Sequence, residues 1–233
     1  MKTLLIASFI ALTSLAHASV TENFSQSYPI NSDGSIKLDN VNGPVEIVAW
    51  DKNEVNIEAV KEASDEDALK HIQIKVESTP AQLVIKTEHD TTWKFWDRFQ
   101  ASVRYTLHVP TNSRLDKINT VNAKITVTGV HGAMNLDTVN GSIKATELRA
   151  DARLESVNGS LTAEFDNLDQ VKSVKLESVN GRLEITIPKD ANANITTRSV
   201  NGSSHVDQAI KLNKSGRMGI SGQIGTGGPA INL

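Results

Sequence analysis

Alternating apolar and polar residues run through most of the chain, and one tripeptide, Val-Asn-Gly, marks a repeat. The tripeptide begins at Val41, Val139, Val157, Val179 and Val200. A variant, Val121-Asn122-Ala123, has alanine in place of glycine. From this variant onward the asparagines follow one another at intervals of 18, 18, 22 and 21 residues. Because such self-similarity is typical of repeat architectures, the second half of the chain is predicted to consist of like units.

The positions within each repeat predict how it folds. If the valine is position 0, apolar residues recur at +4 and +6, as Ile143 and Ala145 do after Val139. Residues at 0, +2, +4 and +6 share parity, so we expect them to face one side of an extended strand. Apolar residues at position −3, such as Leu136, have the opposite parity. A bulge or corner is therefore predicted between position −3 and the valine.

A repeat of this length can complete one circuit, or rung, of a flattened β-coil at about 3.3 Å per residue. The predicted fold class is all-β, a β-solenoid (β-helix) of stacked 18–22-residue rungs with a β-rich N-terminal cap. Residues 112–233 are the predicted Val-Asn-Gly solenoid, and residues 19–111 are the predicted cap and first coils, continuous with it. A separate small β-sandwich in the first half is the alternative.

The first half alternates without the tight repeat, and its apolar spacing predicts strands. These strands are Ser35–Asp39, Pro44–Trp50, Val55–Lys61, His71–Glu77, Gln82–Glu88 and Ala101–Val109. The segment Ser64-Asp65-Glu66-Asp67 resembles a capping box, which predicts one short helix running towards Lys70.

The repeated segments carry a family resemblance. SVNGSL, TVNGSI and SVNGRLEITIP, together with NVNGPVEIVAW and the glycine-rich IGTGGPAINL, resemble the bacterial putative adhesin family of β-strand-repeat proteins. The resemblance covers roughly Asp39 to Leu233. It implies a binding or surface-interaction protein of the cell envelope.

The first 18 residues predict export. Lys2 precedes an apolar stretch from Leu4 to Leu12, and Ala16 and Ala18 form a cleavage site, so residues 1–18 read as a signal peptide. The apolar stretch is too short to span a bilayer, and no later segment is longer, so no transmembrane segment is expected. We expect a periplasmic protein, with secretion or the cell surface as the alternative.

Composition and motifs restrict the classes of partner and chemistry that can be expected. The formal net charge of −3 over 233 residues gives no reason to expect a nucleic-acid partner. With no cysteine in the chain, disulfides are excluded. No P-loop, His-Glu-x-x-His or Gly-x-Ser-x-Gly motif occurs, so neither a cofactor nor a catalytic residue is predicted.

The asparagines of the repeat predict a structural column. Stacked asparagines can form an amide ladder along the stack, and ligand binding is the alternative function of such a column. The Asn-Gly pair also suits a turn, since both residues tolerate positive φ, although Ala123 points instead to a need for a small side chain. The predicted ladder is Asn122, Asn140, Asn158, Asn180 and Asn201.

An aromatic cluster is the first candidate binding site. Trp93, Phe95, Trp96 and Phe99 lie in a connection between two predicted strands, interleaved with basic residues. They could stack on sugar rings or anchor a protein partner. The structural alternative is a plug over the open end of the solenoid.

A charge column is the second candidate. Position −2 carries Asp137, Glu155 and Glu177, and position −4 carries Lys117, Arg153 and Lys175. A salt-bridged, solvated face is predicted, with a calcium site formed by the three carboxylates as a weak alternative.

The predicted function is an exported, non-enzymatic module that contacts an envelope protein or glycan. End-to-end self-association through terminal strands is a further expectation. A calcium-dependent polysaccharide-active β-helix enzyme is one alternative, and a purely structural envelope protein is the other.

Overall fold

A computed structural model describes residues 19–89, 101–199, 210–216 and 219–233. The first part of the described chain contains nine strands and one short helix. These are β1 (Val20–Pro29), β2 (Ser35–Asp39), β3 (Val45–Trp50), β4 (Glu54–Ala63), α1 (Glu66–Lys70), β5 (Ile72–Thr79), β6 (Gln82–His89), β7 (Ser102–Pro110), β8 (Arg114–Thr120) and β9 (Ile125–Thr128).

The second part of the described chain is formed of shorter strands. These are β10 (Met134–Asn140), β11 (Ile143–Leu148), β12 (Ala152–Asn158), β13 (Leu161–Phe165), β14 (Ser173–Asn180), β15 (Leu183–Thr186), β16 (Ala193–Thr196), β17 (Ile210–Gly216), β18 (Gly219–Ile224) and β19 (Ala230–Asn232).

The described strands form two mixed sheets. An eight-stranded sheet has the order β1-β4-β7-β3-β9-β11-β13-β15, and an eleven-stranded sheet has the order β17-β18-β16-β19-β14-β12-β10-β8-β2-β6-β5. The prediction of a β-solenoid of stacked rungs is therefore wrong. Successive repeats do pair in parallel, but antiparallel strands flank them at both ends of the larger sheet and at one end of the smaller one.

In the centre of the larger sheet the repeats pair in register. Leu136 on β10 lies opposite Leu154 on β12, which lies opposite Leu176 on β14. In the smaller sheet Ile143 lies opposite Leu161, and Leu161 lies opposite Leu183. Equivalent positions of neighbouring repeats thus lie side by side, as the recurrence of apolar residues at fixed positions around Val-Asn-Gly predicts.

The bend of each repeat lies elsewhere than predicted. Position −1 points inward with position −3, since Thr120, Thr138 and Ser156 are buried. The valines at position 0 point outward, and the chain turns at the asparagine and glycine before entering the smaller sheet. The predicted corner between −3 and 0 is wrong, because alternation continues unbroken through the valine and changes face only after it.

Close backbone contact explains the glycine of the motif. A Cβ on Gly159 would lie 1.7 Å from the carbonyl oxygen of Gly141 in the neighbouring repeat, and one on Gly181 would lie 2.0 Å from that of Gly159. Neither glycine has a positive φ, and Glu147 is the one non-glycine residue of the described chain that does. The motifs at Val157 and Val179 therefore require a small residue and not a left-handed one, whereas Gly43, in the motif at Val41, does have a positive φ of 109°.

The six strands predicted in the first half are confirmed with small shifts at their ends. The short helix α1 also forms, with Asp65 as its N-cap, because the Asp65 carboxylate accepts the backbone N–H of Ala68 at 2.8 Å. Both sheets contain strands from each half of the chain, since β2 lies between β6 and β8, and β3 lies between β7 and β9.

The last strand of the described chain inserts into the larger sheet. β19 pairs in parallel with β14 on one side and with β16 on the other. Beyond β16, the strands β18 and β17 continue the sheet in antiparallel fashion. In the larger sheet, β14 and β16 are thus separated by β19, whose residues come much later in the sequence.

Small and medium aliphatic side chains fill the core between the sheets. Tyr105 is the largest fully buried side chain of the described residues, and Phe165 is also buried. Isoleucine, leucine, valine and alanine suit the narrow space between two facing sheets, where interdigitating side chains span about 10 Å.

Candidate functional site

A line of exposed valines crosses the central strands of the larger sheet, on the outer face and near the point where each strand ends. We call Val41, Val121, Val139, Val157 and Val179 the valine column. The first four are 36–41% exposed, and Val179 is 74% exposed. At a strand spacing of about 4.8 Å, five valines extend over about 19 Å. Single exposed apolar residues are ordinary, but five in line form a continuous apolar stripe.

Beside the valines runs a hydrogen-bonded line of amides, the asparagine ladder. Each Nδ2 donates to the Oδ1 of the asparagine in the preceding repeat, over 2.9 Å from Asn122 to Asn42 and 3.0 Å from Asn140 to Asn122. The bonds from Asn158 to Asn140 and from Asn180 to Asn158 are both 2.9 Å. All four bonds run in one direction, so the ladder has two chemically different ends.

The structure brings together four of the five asparagines predicted for the ladder, and Asn201 lies outside the described residues. Asn42 is a member that the sequence analysis missed. The Val-Asn-Gly motif at Val41 was the available signal, but a separation of 80 residues hid its contact with Asn122. An isolated parallel bridge between Asn42 and Asn122 joins the two segments.

On the other side of the valines lies the acidic column, Asp137, Glu155 and Glu177. Asp137 lies opposite Glu155, and Glu155 lies opposite Glu177, on three adjacent parallel strands. Asn119 and then Asp39 continue the same line. Neighbouring carboxylates in such a line repel one another unless cations or shared protons intervene.

Basic residues two positions earlier supply part of that neutralisation. Arg153 forms an ion pair with Glu155, and Lys175 pairs with Glu177 at 2.8 Å. Lys117 reaches Asp39 at 3.9 Å instead of Asp137. Among the described residues, Asp137 has no ion pair within 4.0 Å.

The three carboxyls of the acidic column differ in the direction in which their pKa values are shifted. Burial raises the pKa of Asp137 above its ordinary value, against the attraction of Arg153. Burial, and then the hydrogen bond with Glu177, raises the pKa of Glu155. The hydrogen bond from Lys175 lowers the pKa of Glu177. Asp137 and Glu155 therefore keep a proton more readily than ordinary carboxyls, and Glu177 keeps one less readily.

A groove follows the valine column. One cavity of about 770 Å³ is lined by Val157, Val179, Glu155 and Glu177, among others. A second, of about 450 Å³, is lined by Val41, Val121 and Val139. Asp137 and Thr138 line both, so the two cavities adjoin along the column. The groove thus has an apolar wall and a charged one, in which the carboxylates alternate with Lys86, Lys175 and Arg198.

The other predicted candidates have different outcomes. The aromatic cluster Trp93, Phe95, Trp96 and Phe99 and the predicted signal peptide, residues 1–18, lie outside the described residues. No group of three or more His, Asp or Glu side chains in the described part is placed to hold a metal ion. Within the same residues, no helix has the length and apolar character needed to cross a membrane.

The fold is that of an all-β protein with two large mixed sheets facing each other. It is shared with a putative cell adhesion protein from Clostridium sporogenes, at a TM-score of 0.56 and 8% identity over 72% of this chain and 100% of that one. This likeness extends to the fold alone.

Two further solved structures resemble the chain more weakly. A putative adhesin from Bacteroides fragilis has a TM-score of 0.27 and 11% identity, over 70% of this chain and 97% of that one. A putative adhesin from Parabacteroides distasonis has a TM-score of 0.30 and 13% identity, over 70% and 82%. No protein-family model matches the chain, and no curated protein matches it.

Proposed function

We propose that this protein is an exported, non-enzymatic binding module of the cell envelope, and that its valine column forms the contact surface. The observation that supports this proposal is the alignment of five exposed valines beside a groove whose other wall is charged. Valines on adjacent strands pack on one another, but more than a third of each side chain stays exposed, and a partner that covers them removes this apolar surface from water.

The length of the column favours a macromolecular partner. The column crosses five parallel strands at the regular spacing of a sheet, so its side chains lie in one line beside the groove. A protein surface or a glycan chain can contact several valines at once, and rim carboxylates such as Asp137 and Glu177 would set orientation by pairing with its polar groups.

Affinity capture from envelope material tests the proposal. The immobilised protein is compared with a Val139→Ser/Val157→Ser variant, which removes the middle of the column. Val60→Ser is the matched control, because Val60 is also about one-third exposed, at 36%, but lies on β4, away from the column. We expect the double variant to lose the captured component while its circular dichroism spectrum and melting temperature match those of the control.

A Trp93→Ala/Trp96→Ala variant is assayed beside the valine variants. Equal capture by the wild type and the valine double variant would overturn the valine column as the contact surface. Loss of capture in the tryptophan variant alone would assign binding to the aromatic cluster. No captured component from any envelope fraction would favour a purely structural protein.

A second candidate function is the calcium-dependent polysaccharide-active enzyme. It rests on the line of three carboxylates in the groove and on the raised pKa of Glu155, although among the described residues no group of three such side chains is placed to hold a metal ion. Calcium at millimolar concentration would then raise the melting temperature of the wild type and not of a Glu155→Ala variant. Our proposal of a non-enzymatic module predicts no change in either protein.

A further inference from the structure

The edge of β14 is covered along only part of its length by described residues. β19 pairs with Ser173, Val174 and Lys175 of β14. On its other side β19 pairs with β16, and the pairing continues until the N–H of Arg198 donates to the carbonyl of Leu233 at 2.8 Å. From Glu177 to Asn180, β14 has no partner on this side among the described residues. Within the described residues, a slot one strand wide therefore lies between β14 and the end of β16.

Side chains around the slot show the exposure expected at an unfilled layer. Val179 is 74% exposed, against 36–41% for the other members of its column. Leu183 and Ile185 on the edge strand β15 are partly exposed, whereas the equivalent residues Leu161 and Ala163 on β13 are fully buried. The 770 Å³ cavity lies here, bordered by Val179, Leu183, Arg198 and Leu233.

We propose that this slot binds an extended peptide strand of a partner protein, parallel to β14, and that the strand carries a Ser/Thr-Val-Asn-Gly motif. Addition of a strand supplies main-chain hydrogen bonds for affinity, and side-chain register supplies specificity. The proposal names the partner chemistry of the binding function proposed above, on which it rests.

The hydroxyl position follows from the contacts of the existing layers. Thr138 Oγ1 donates to the carbonyl of Ala123 at 3.2 Å, Ser156 Oγ to that of Gly141 at 3.1 Å, and Ser178 Oγ to that of Gly159 at 3.0 Å. The next carbonyl in this series is that of Gly181. A serine or threonine of the incoming strand is the residue that reaches it.

The asparagine position follows from the ladder. Asn180 donates to Asn158 at 2.9 Å, and its own Oδ1 accepts no side-chain amide among the described residues. An asparagine in the incoming strand would donate to Asn180 Oδ1 and extend the ladder by one member. The side chain of an aspartate at this position has no N–H to donate, so this hydrogen bond would be lost.

The glycine position follows from backbone contact. In successive layers a Cβ on Gly141, Gly159 or Gly181 would lie 1.7–2.0 Å from the carbonyl oxygen of the layer before. A partner residue placed over the Gly181 carbonyl meets the same restriction, so alanine there would prevent the strand from seating. Two residues further on, a leucine of the incoming strand would pack on Leu183, as Leu161 does.

The position before the hydroxyl residue lies next to Glu177 in the acidic column. Asn119 already stands in this column beside Asp39 and donates to its carboxylate at 3.0 Å. A basic or amide residue is therefore favoured, and a third consecutive glutamate is disfavoured. The octapeptide LKSVNGSL satisfies every position.

Disulfide trapping tests the register, and the chain has no cysteine of its own to interfere. The probe is LKSCNGSL, with cysteine in place of the valine. We expect it to cross-link to a Val179→Cys variant under mild oxidation, since equivalent residues of adjacent parallel strands lie at disulfide distance. A Val139→Cys variant is the matched control, because strands on both sides cover its own strand, β10.

Fluorescence anisotropy of labelled LKSVNGSL with the wild-type protein supplies the affinity. Peptides with alanine in place of the asparagine or of the glycine are expected to bind about tenfold more weakly or worse. Equal binding of the glycine-to-alanine peptide would overturn the proposal, as would equal cross-linking of the Val139→Cys and Val179→Cys variants.

A Val179→Cys/Val200→Cys double variant identifies the competing occupant. A disulfide formed within one molecule, without added peptide, would mean that the chain fills its own slot, and this would overturn the proposal. If the peptides fail while envelope capture depends on Val139 and Val157, only the strand slot is wrong and the binding function stands. If the peptides bind but the Val139→Ser/Val157→Ser variant captures the envelope component as well as the wild type does, the strand slot stands and the valine column is wrong as the contact surface.

Discussion

The hydroxyl groups of Tyr105 and Thr87 lie 2.8 Å apart in the core, and this hydrogen bond joins the two sheets. Tyr105 belongs to β7 in the smaller sheet, and Thr87 belongs to β6 in the larger one. Both side chains are buried, so neither hydroxyl can exchange its partner for water.

A Tyr105→Phe substitution is expected to lower the free energy of unfolding by about 1–2 kcal/mol, because it leaves the Thr87 hydroxyl without its buried partner. Urea denaturation of the wild type and the variant measures the change. A Thr87→Val variant and the double variant complete a mutant cycle, in which the double loss should fall below the sum of the single losses. Strict additivity would show that the two hydroxyls do not interact.

The same tyrosine predicts an alkaline limit to stability. Burial raises the pKa of Tyr105 to about 12, against about 10 for an unfolded tyrosine. The folded state thus favours the protonated phenol, and its contribution is complete below pH 10 and disappears as the pH rises towards 12. Unfolding free energies measured between pH 9 and pH 12 should fall more steeply in the wild type than in the Tyr105→Phe variant.

A Gly159→Ala substitution is expected to destabilise the protein severely, by about 3 kcal/mol or more, because its methyl group would lie 1.7 Å from the Gly141 carbonyl oxygen. Thermal and urea unfolding measure the loss. Ser160→Ala, at an exposed neighbouring position, is the control and should change stability by less than about 0.5 kcal/mol. A small effect of Gly159→Ala would mean that the layers can separate at low cost.

The asparagine ladder predicts unequal effects at its middle and at its end. Asn158 takes part in two ladder bonds and Asn180 in one, within the described residues. Asn158→Ala should lower the unfolding free energy by about 1–2 kcal/mol, and Asn180→Ala by about half as much. Equal losses, measured by urea denaturation, would show that Asn180 has a second partner.

Replacement of Asp137 by asparagine is expected to stabilise the protein. Because burial raises its pKa, the folded state favours the neutral side chain, and this preference is lost as the pH rises through the folded pKa. Asp137→Asn should therefore be more stable than the wild type at pH 7, by no more than about 1 kcal/mol since solvent screens the charge. Asn119 shows that an amide fits this column. The advantage should vanish at pH 3, and its persistence there would contradict the electrostatic explanation.

The sequence predicted local pairing better than overall architecture. The fixed spacing of the leucines from Val-Asn-Gly was sufficient to place Leu136 beside Leu154 and Leu154 beside Leu176, because like residues of neighbouring repeats pair side by side. The same spacing contains no information on what flanks the repeats. Antiparallel pairs such as β1 with β4, and the insertion of β19, depend on contacts between residues far apart in the chain.

The candidate site was predicted only in part, for a physical reason. The acidic column could be inferred because charges are expected at the surface. The valine column was missed because an aliphatic residue in an alternating segment is normally a core residue, and only the place of the bend decides otherwise. Because the alternation continues to the end of the strand and changes face only after it, the valine of the motif points outward, and Val139 is one such case.

The insertion of β19 sets an order of events for folding. Its three residues come from the far end of the described chain, yet they hold β16, β18 and β17 against β14. When the chain folds, the strands up to β14 can pair with one another, whereas the last part of the larger sheet must wait for residues 230–232. Such long-range closure is slow, because the intervening loop entropy is lost before any contact forms. Until β19 is in place the larger sheet stays unfinished, and this is when proteases and chaperones have their best access to the chain.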